Sequence, residues 1–447
     1  MKKLSFLFLS AILLCMASCK KETVDVTHLL STVPSSAAGV VVLNMEGLLA
    51  DAGCKIKDHE IKPGKEVKQL MEKASDTDKK ELMMLFDGST GIEPKGAVIF
   101  YDANRTFLTF ALYDVEKFIQ FVEKKNGSQF SDEGSGVRVN GLTAVKGAQA
   151  WICLSQGKRI DVDAIANYAS LNDSQSFLVT PMGEKLLTDG DDVRGWARID
   201  TFTNQFLSRS DRSMFTLALG FLFEDAESVR FSIDFEKGEL EADALVLNDK
   251  GKPAKYQLPA DKVDVATLKS LGTTCDAMMA FTLSPKLIKK FEKIGEAFGG
   301  ALFGDLGDMM KNVDGTVGIV SSGDGIGQSI AGIVTTKGEV STTLRDMIST
   351  YMGTVSMDGK LLKFTKGDVK GNLSVEECAE ELKGACLGFV VDGSGFNSMG
   401  YGESAPAGFK SLVVKLKPES GGLEIELDAN TVAPDENALL TIMKSAR

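Results

Sequence analysis

Histidine is almost absent. His28 and His59 are the only two in 447 residues, so a site built on several imidazoles is excluded, and a Ser/His/Asp relay would have to use one of them. No Cys-x-x-Cys pair occurs, which removes a thioredoxin-like redox site. A basic surplus is missing as well: 50 Lys and Arg stand against 62 Asp and Glu, a formal charge of −12. Nothing supplies the concentrated positive surface that neutralises phosphates, so a nucleic-acid partner is not expected. What remains is an ordinary globular balance, 43% hydrophobic and 25% charged. That rules out a wholly disordered, collagen-like or multi-span membrane chain, and at this length it suggests two or three domains.

The N-terminus says where the chain goes. Lys2 and Lys3 precede an apolar run from Leu4 to Ala17, too short to span a bilayer comfortably and suited to the core of a signal peptide. The run ends in Met16-Ala17-Ser18-Cys19, which resembles the lipobox of bacterial lipoproteins, with cleavage before the cysteine and acylation of its thiol. Residues 1–18 then form the signal peptide, Cys19 carries the palmitate-type lipid, and residues 19–30 read as a tether. The expected location is the cell envelope, lipid-anchored at the outer membrane, with either face open. Losing residues 1–18 takes two lysines from the formal charge and leaves 429 residues at −14. Such a body is repelled by anionic lipid, so the acyl chains do the anchoring, at about 0.8 kcal/mol per buried methylene.

Five cysteines are left after Cys15 goes with the signal and Cys19 is acylated: Cys54, Cys153, Cys275, Cys378 and Cys386. The odd number leaves at least one thiol unpaired. Cys378 and Cys386 are near enough in sequence to close a small disulfide loop in an oxidising compartment; the competing reading makes both small buried hydrophobes.

Repetition organises the rest. Gly39-Val-Val-Val-Leu-Asn44-Met-Glu-Gly-Leu-Leu49 reads as a strand that reaches a helix cap and enters a helix. Ala277-Met-Met-Ala-Phe-Thr-Leu-Ser284-Pro-Lys-Leu-Ile288 has the same layout, with Ser284 as N-cap and Pro285 at the first helical position. Gly195 to Asp200 and Gly388 to Asp392 are two further strand–cap candidates. Each half closes on a hairpin. Val229, Phe231, Ile233 and Phe235 alternate up to Lys237-Gly238, and Leu240, Ala242 and Ala244 alternate back. Leu412, Val414 and Leu416 run up to a turn over Pro418 to Gly422, and Leu423, Ile425 and Leu427 return. The predicted fold is α+β: two related domains with mainly antiparallel sheets and packed helices, a tandem duplication over residues 31–256 and 262–447, with Gly251 to Asp261 as linker.

Both hairpins carry acidic rows, Glu239, Glu241 and Asp243, then Glu424, Glu426 and Asp428. Alternate strand residues share a face, so each row reads as a solvated sheet face, opposed in the second hairpin by Lys415 and Lys417. A glycosidase pair or a Ca²⁺ site would need the same residue type in convergent geometry. The glycine-rich stretches Gly323 to Gly327 and Asp392 to Gly395 match no phosphate-binding loop and no nucleophile elbow. His59, in Lys57-Asp58-His59-Glu60, lacks metal-ligand spacing and reads as a loop residue, and the methionine pairs Met83-Met84, Met278-Met279 and Met309-Met310 read as core filling. No catalytic residue, metal ligand or cofactor site is assigned.

The phrase Val33-Pro34-Ser35-Ser36-Ala37-Ala38-Gly39-Val40-Val41, running on to Leu48-Leu49, resembles a group of uncharacterised lipoproteins of the Bacteroidetes, known only as a domain of unknown function. Ser35-Ser36 stand where an Ala-Asp pair is more usual. The resemblance implies no catalytic residues. Together these features lead to an envelope lipoprotein that works by contact with a protein or glycan partner; a hydrolase of envelope polysaccharide or peptide, built on dispersed Asp and Glu, is the alternative.

Overall fold

The computed structural model describes residues 26–155, 157–158, 160–188, 190–257, 261–297, 306–323, 329–393, 408–419 and 422–445. In the first half the strands are β1 (Gly39–Leu43), β2 (Lys55–Lys57), β3 (Glu60–Lys62), β4 (Ile92–Asp102), β5 (Arg105–Leu112), β6 (Ser131–Asp132), β7 (Arg138–Asn140), β8 (Thr143–Lys146), β9 (Gln149–Cys153), β10 (Val193–Arg198), β11 (Ser228–Phe235) and β12 (Glu239–Leu247). The second half supplies β13 (Thr274–Cys275), β14 (Ala277–Leu283), β15 (Val313–Ser322), β16 (Ser329–Thr336), β17 (Thr354–Asp358), β18 (Leu361–Lys366), β19 (Leu373–Ser374), β20 (Leu387–Asp392), β21 (Phe409–Glu419) and β22 (Gly422–Thr431). The fold is α+β, and every strand pairing among the described residues is antiparallel.

The duplication shows in the strand order. Inward of β6 and β7, which extend the first half beyond β8, the strand order of that half is β8-β9-β5-β4-β1-β10-β11-β12. The second runs β17-β18-β16-β15-β14-β20-β21-β22, the same order position for position. β12 then pairs with β22, so the halves share one 18-stranded sheet. Each half also sends the same helix to the same face. Val115–Asn126 follows β5, capped by Asp114, and Thr342–Met352 follows β16, capped by Ser341. Their apolar stripes (Phe118, Ile119 and Val122; Leu344 and Ile348) bury against the strands beneath. The opposite face is covered at both ends by shorter helices, over Val40, Phe100 and Trp151 in one half and over Met278, Val390 and Val413 in the other.

The expected caps at Asn44 and Ser284 form: Asn44 Oδ1 accepts from Gly47 N–H at 2.8 Å and Ser284 Oγ from Leu287 N–H at 3.2 Å. Asp200 does not cap. The helix Ile199–Phe206 begins one residue before it, because Ile199 N–H is taken by the Glu227 carbonyl. The helix expected after Gly388 to Asp392 falls outside the described residues. Pro418 sits inside β21 rather than in the turn, opposite Leu423. β20 stops pairing at Leu416, so Pro418 lies where one side of β21 is an edge and its missing N–H removes no ladder bond.

Two expectations about connecting segments are corrected. The tether does not extend to residue 30: Thr27–Ser31 is a helix, and Val26, Leu29, Leu30 and Val33 are buried in the first-half core. Their spacing of i, i+3, i+4 and i+7 is itself a helical stripe. The linker is also tied down over its described part. Pro253 bridges Leu247 and Tyr256 bridges Phe223, while Ala254 is fully buried.

Candidate functional site

The two acidic rows meet. Glu239-Leu-Glu-Ala-Asp243 and Glu424-Ile-Glu-Leu-Asp428 are equivalent segments of the two hairpins, and the seam pairs them head to tail: Glu241 opposite Asp428, Asp243 opposite Glu426, Leu245 opposite Glu424. The apolar residues between them, Leu240, Ala242, Ile425 and Leu427, turn to the other face by the period of the strand. Each row closes the exposed edge of the other hairpin, and like charge is thereby stacked on like charge.

Lysines from β21 enter this row. Lys415 lies opposite Glu426, its side chain only 9% exposed, with Nζ 3.0 Å from Glu426 and 2.5 Å from Asp428. Lys417 also pairs with Glu426. Burial works against the ionised form of Glu426, but hydrogen bonds from Lys417 and Lys415 outweigh it and hold that carboxyl below its usual range. The other acids go the opposite way. Glu239 is pushed up to about 7 by burial and by the neighbouring Asp428, Glu241 and Glu381. Glu241, Asp243 and Glu424 are raised too, first by burial and then by their acidic neighbours. The seam therefore carries more negative charge than its own lysines neutralise. At one end it opens into a recess of about 300 Å³ lined by Asp191, Arg230, Ser232, Asp243 and Glu424.

The acidity continues across the sheet. Asp234 of β11 lies opposite Glu241, and Asp192, just before β10, shares a hydrogen bond with Asp234 and accepts from Phe235 N–H at 3.1 Å. Asp51 joins this group from the helix Met45–Asp51 and accepts from the Asn437 side-chain amide. Burial first, then Asp234, raises the Asp192 pKa. Carboxyl groups thus run in a line over β10, β11, β12 and β22 until Lys415 ends it. The rows were visible in the sequence. Their meeting, and the roles of Asp191, Asp192, Arg230 and Asp234, were not; the near-identity of the two pentapeptides was the one available signal.

The other sequence candidates lie apart from the seam. Cys19 and residues 1–18 are outside the described residues. Cys378 and Cys386 form no disulfide. Both are buried free thiols, and they sit in different core clusters. Cys378, on the helix Val375–Glu381, shares a hydrogen bond with the thiol of Cys275, which together with burial pushes Cys275 up. The Cys386 thiol instead faces the Leu416 carbonyl at 3.3 Å. Helical geometry turned Cys378 inward, and eight residues of sequence proximity did not bring the thiols together. His28 is exposed on the first helix. His59 occupies a left-handed turn between β2 and β3, stacks on Tyr113 with ring centres 4.1 Å apart and meets Glu93 at 2.9 Å. Met278 is buried while Met279 turns to the other face. The glycine stretches after Gly323 and Gly393 fall outside the described residues. Among the described residues no group of three or more His, Cys, Asp or Glu is arranged to hold a metal ion, and no helix is long and apolar enough to cross a membrane.

No family model and no curated protein matches the chain. Among solved structures it is similar to crystal form I of TP0453, at 8% identity and a TM-score of 0.28, over 78% of this chain and 95% of that one. Crystal form III gives 8% and 0.28 over 78% and 96%, and crystal form IV gives 9% and 0.29 over 48% and 79%. A likeness at this level transfers neither fold nor function.

Proposed function

We propose that this chain is a lipid-anchored protein of the cell envelope, held at the outer membrane through Cys19, and that it acts as a binding module whose acidic seam takes a cationic segment of an envelope protein or an amine-bearing glycan. The observation that supports it most is the β12–β22 pairing. It concentrates carboxylates beyond what Lys415, Lys417 and the recess-lining Arg230 compensate and sets them beside a recess of about 300 Å³. A cation placed there gains Coulomb energy from several partly desolvated carboxylates at once and relieves their mutual repulsion.

Calorimetric titration with pentalysine tests the reading. Binding is expected to weaken as salt rises, and the double variant Asp243→Asn/Glu424→Gln is expected to bind about tenfold more weakly, as for a loss near 1.4 kcal/mol. Affinity that ignores both salt and the double variant sinks it. The anchor is read separately, from the intact mass of the mature protein and of Cys19→Ala, which must lack the acyl mass.

One observation favours the hydrolase alternative. Asp243, with a raised pKa, lies directly across the ladder from Glu426, with a lowered one, and a retaining glycosidase likewise sets two carboxyl groups of unlike pKa close together. Two ammonium groups on Glu426 make it a weak nucleophile, which is why binding is preferred. Release of reducing ends from envelope polysaccharide by the wild type, abolished in Asp243→Asn, would reverse that preference.

A further inference from the structure

Covalent geometry limits which part of the body can lie away from a bilayer, and this inference rests on acylation at Cys19. Only residues 20–25 separate Cys19 from Val26, and an extended chain advances at most about 3.5 Å per residue, so Val26 stays within roughly 25 Å of the acylated residue. The helix Thr27–Ser31 adds no slack, since Val26, Leu29 and Leu30 are core residues. Its end is bonded directly to the 3₁₀ turn Phe177–Val179: the Val33 carbonyl accepts from Phe177 N–H at 2.7 Å and the Leu30 carbonyl from Ser176 Oγ at 3.1 Å.

The surface at that turn is apolar. Phe177 is buried, but Val179 is 56% exposed. With Leu178, Pro181 and Leu187 it lines an open recess of about 350 Å³. Lys185 is exposed on the helix Pro181–Thr188. Lys250 and Lys252 are exposed on a loop whose Gly251 lies against Met182 and Pro181. Glu184 also lines the recess, Asp249 is exposed in the loop, and exposed Asp225 accepts from Asn248 at the start of that loop, so three cations stand with three anions here, a locally balanced surface on a body of formal charge −14 after loss of residues 1–18. Aliphatic side chains with lysines on the adjoining helix and loop suit the boundary of a bilayer, where the methyl groups enter the acyl region and the ammonium groups stay with the phosphates.

We propose that the Val179 recess, with Lys185, Lys250 and Lys252 on the adjoining helix and loop, forms a membrane-docking face that beds into the same bilayer that carries the Cys19 lipid. The loop holding Lys252 folds back on Leu247, the last residue of β12. Leu245, two residues earlier, lines the seam recess, so docking holds that recess close to the lipid surface.

The test uses full-length, acylated protein reconstituted in vesicles of phosphatidylethanolamine with a minority of phosphatidylglycerol. Val179→Cys is labelled with an environment-sensitive fluorophore; the five native body thiols are buried. Tyr351→Cys, 72% exposed on the helix Thr342–Met352, serves as the control position. Spin-labelled lipid should quench position 179 about threefold more than position 351, and Lys250→Glu/Lys252→Glu should remove much of the difference. Equal quenching at the two positions, in protein that carries the acyl mass and floats with the vesicles, overturns the docking face and leaves the anchor intact. Protein lacking the acyl mass overturns the anchor and the docking face with it.

Discussion

Replacing Lys415 by Met removes the ammonium group that bridges Glu426 and Asp428 and leaves both carboxylates in a row that already repels them. The side chain is 9% exposed and its partners 15% and 12%, so this is a buried network. Removing one partner of such a network costs about 3–5 kcal/mol, and methionine fills the volume, so packing adds little. Lys417 still reaches Glu426, which places the expectation near the lower bound, about 3 kcal/mol. If residues 26–445 unfold as one unit, the entropy of unfolding is roughly 0.9 kcal/mol/K, and the midpoint should fall by about 3–4 °C. The pH dependence follows from the direction of the shift. Glu426 is held below its usual range, so its contribution is present above the ordinary glutamate value and is lost as pH falls through the lower folded one. The deficit of Lys415→Met is therefore largest at pH 7–8 and shrinks below about pH 4.5, where the unfolded carboxylates protonate. Scanning calorimetry at pH 8 and at about pH 3 measures both. Lys415→Met/Asp428→Leu, which removes the stranded charge as well, should recover part of the loss. A variant equal to wild type at pH 8, or a deficit of the same size at both pH values, would refute the account of the seam.

Further expectations concern the same features. Glu239 has a raised pKa, so as pH climbs from its unfolded value to about 7 the folded state binds the extra proton and stability falls; Glu239→Gln should flatten that fall, with more stability than wild type at pH 8 and little change at pH 4, read by differential scanning fluorimetry. The five body thiols are buried and should resist Ellman's reagent until urea unfolds the protein. Mild oxidation followed by peptide mapping should join Cys275 to Cys378 and not Cys378 to Cys386. Gly238 has φ +83° and an added Cβ would stand 2.7 Å from the Pro434 carbonyl oxygen, so Gly238→Ala should cost about 1–3 kcal/mol in urea unfolding. Gly359→Ala, with φ +60° and open space around it, should cost no more than about 1 kcal/mol.

The elements were legible where a local pattern decides them. Alternation marked β11, β12, β21 and β22, and Asn44 and Ser284 announced the helices they cap, because a strand face or a cap depends on a few consecutive residues. Asp200 misled because a long-range bond, Ile199 N–H to the Glu227 carbonyl, set where that helix begins. Cys378 misled in the same way: nearness in sequence suggested Cys386, whereas the fold brings in Cys275, about a hundred residues away. Val26, Leu29, Leu30 and Val33 have helical spacing, but one turn gives too little periodicity to separate from a tether. The candidate site lay furthest out of reach. Each acidic row was correctly placed on one strand face, but whether that face meets solvent or another row depends on which edge the hairpin pairs with, and no local signal specifies that.

Duplication accounts for the concentration of charge. A terminal hairpin leaves an open edge; two equivalent hairpins close each other's edges by antiparallel pairing, and equivalent rows then stand opposite one another. The ladders show how the halves differ. β11 sets Asp234 opposite Glu241, whereas β21 sets Lys415 at the matching place opposite Glu426. The second half thus carries a cation where the first carries an acid, and Glu426 alone among the shifted acids of the two rows is lowered. Repulsion that persists in the free protein is released when a cation binds, so a ligand should stabilise the fold most where the raised carboxyls are ionised. Pentalysine at about a hundred times its dissociation constant should contribute about 2.7 kcal/mol at pH 8. At pH 5 Glu239 is protonated in the folded state, the site has lost that charge, and the same concentration should contribute less. Thermal midpoints with and without peptide at the two pH values decide it: a ligand that stabilises equally at pH 5 and pH 8 is not bound by these carboxylates.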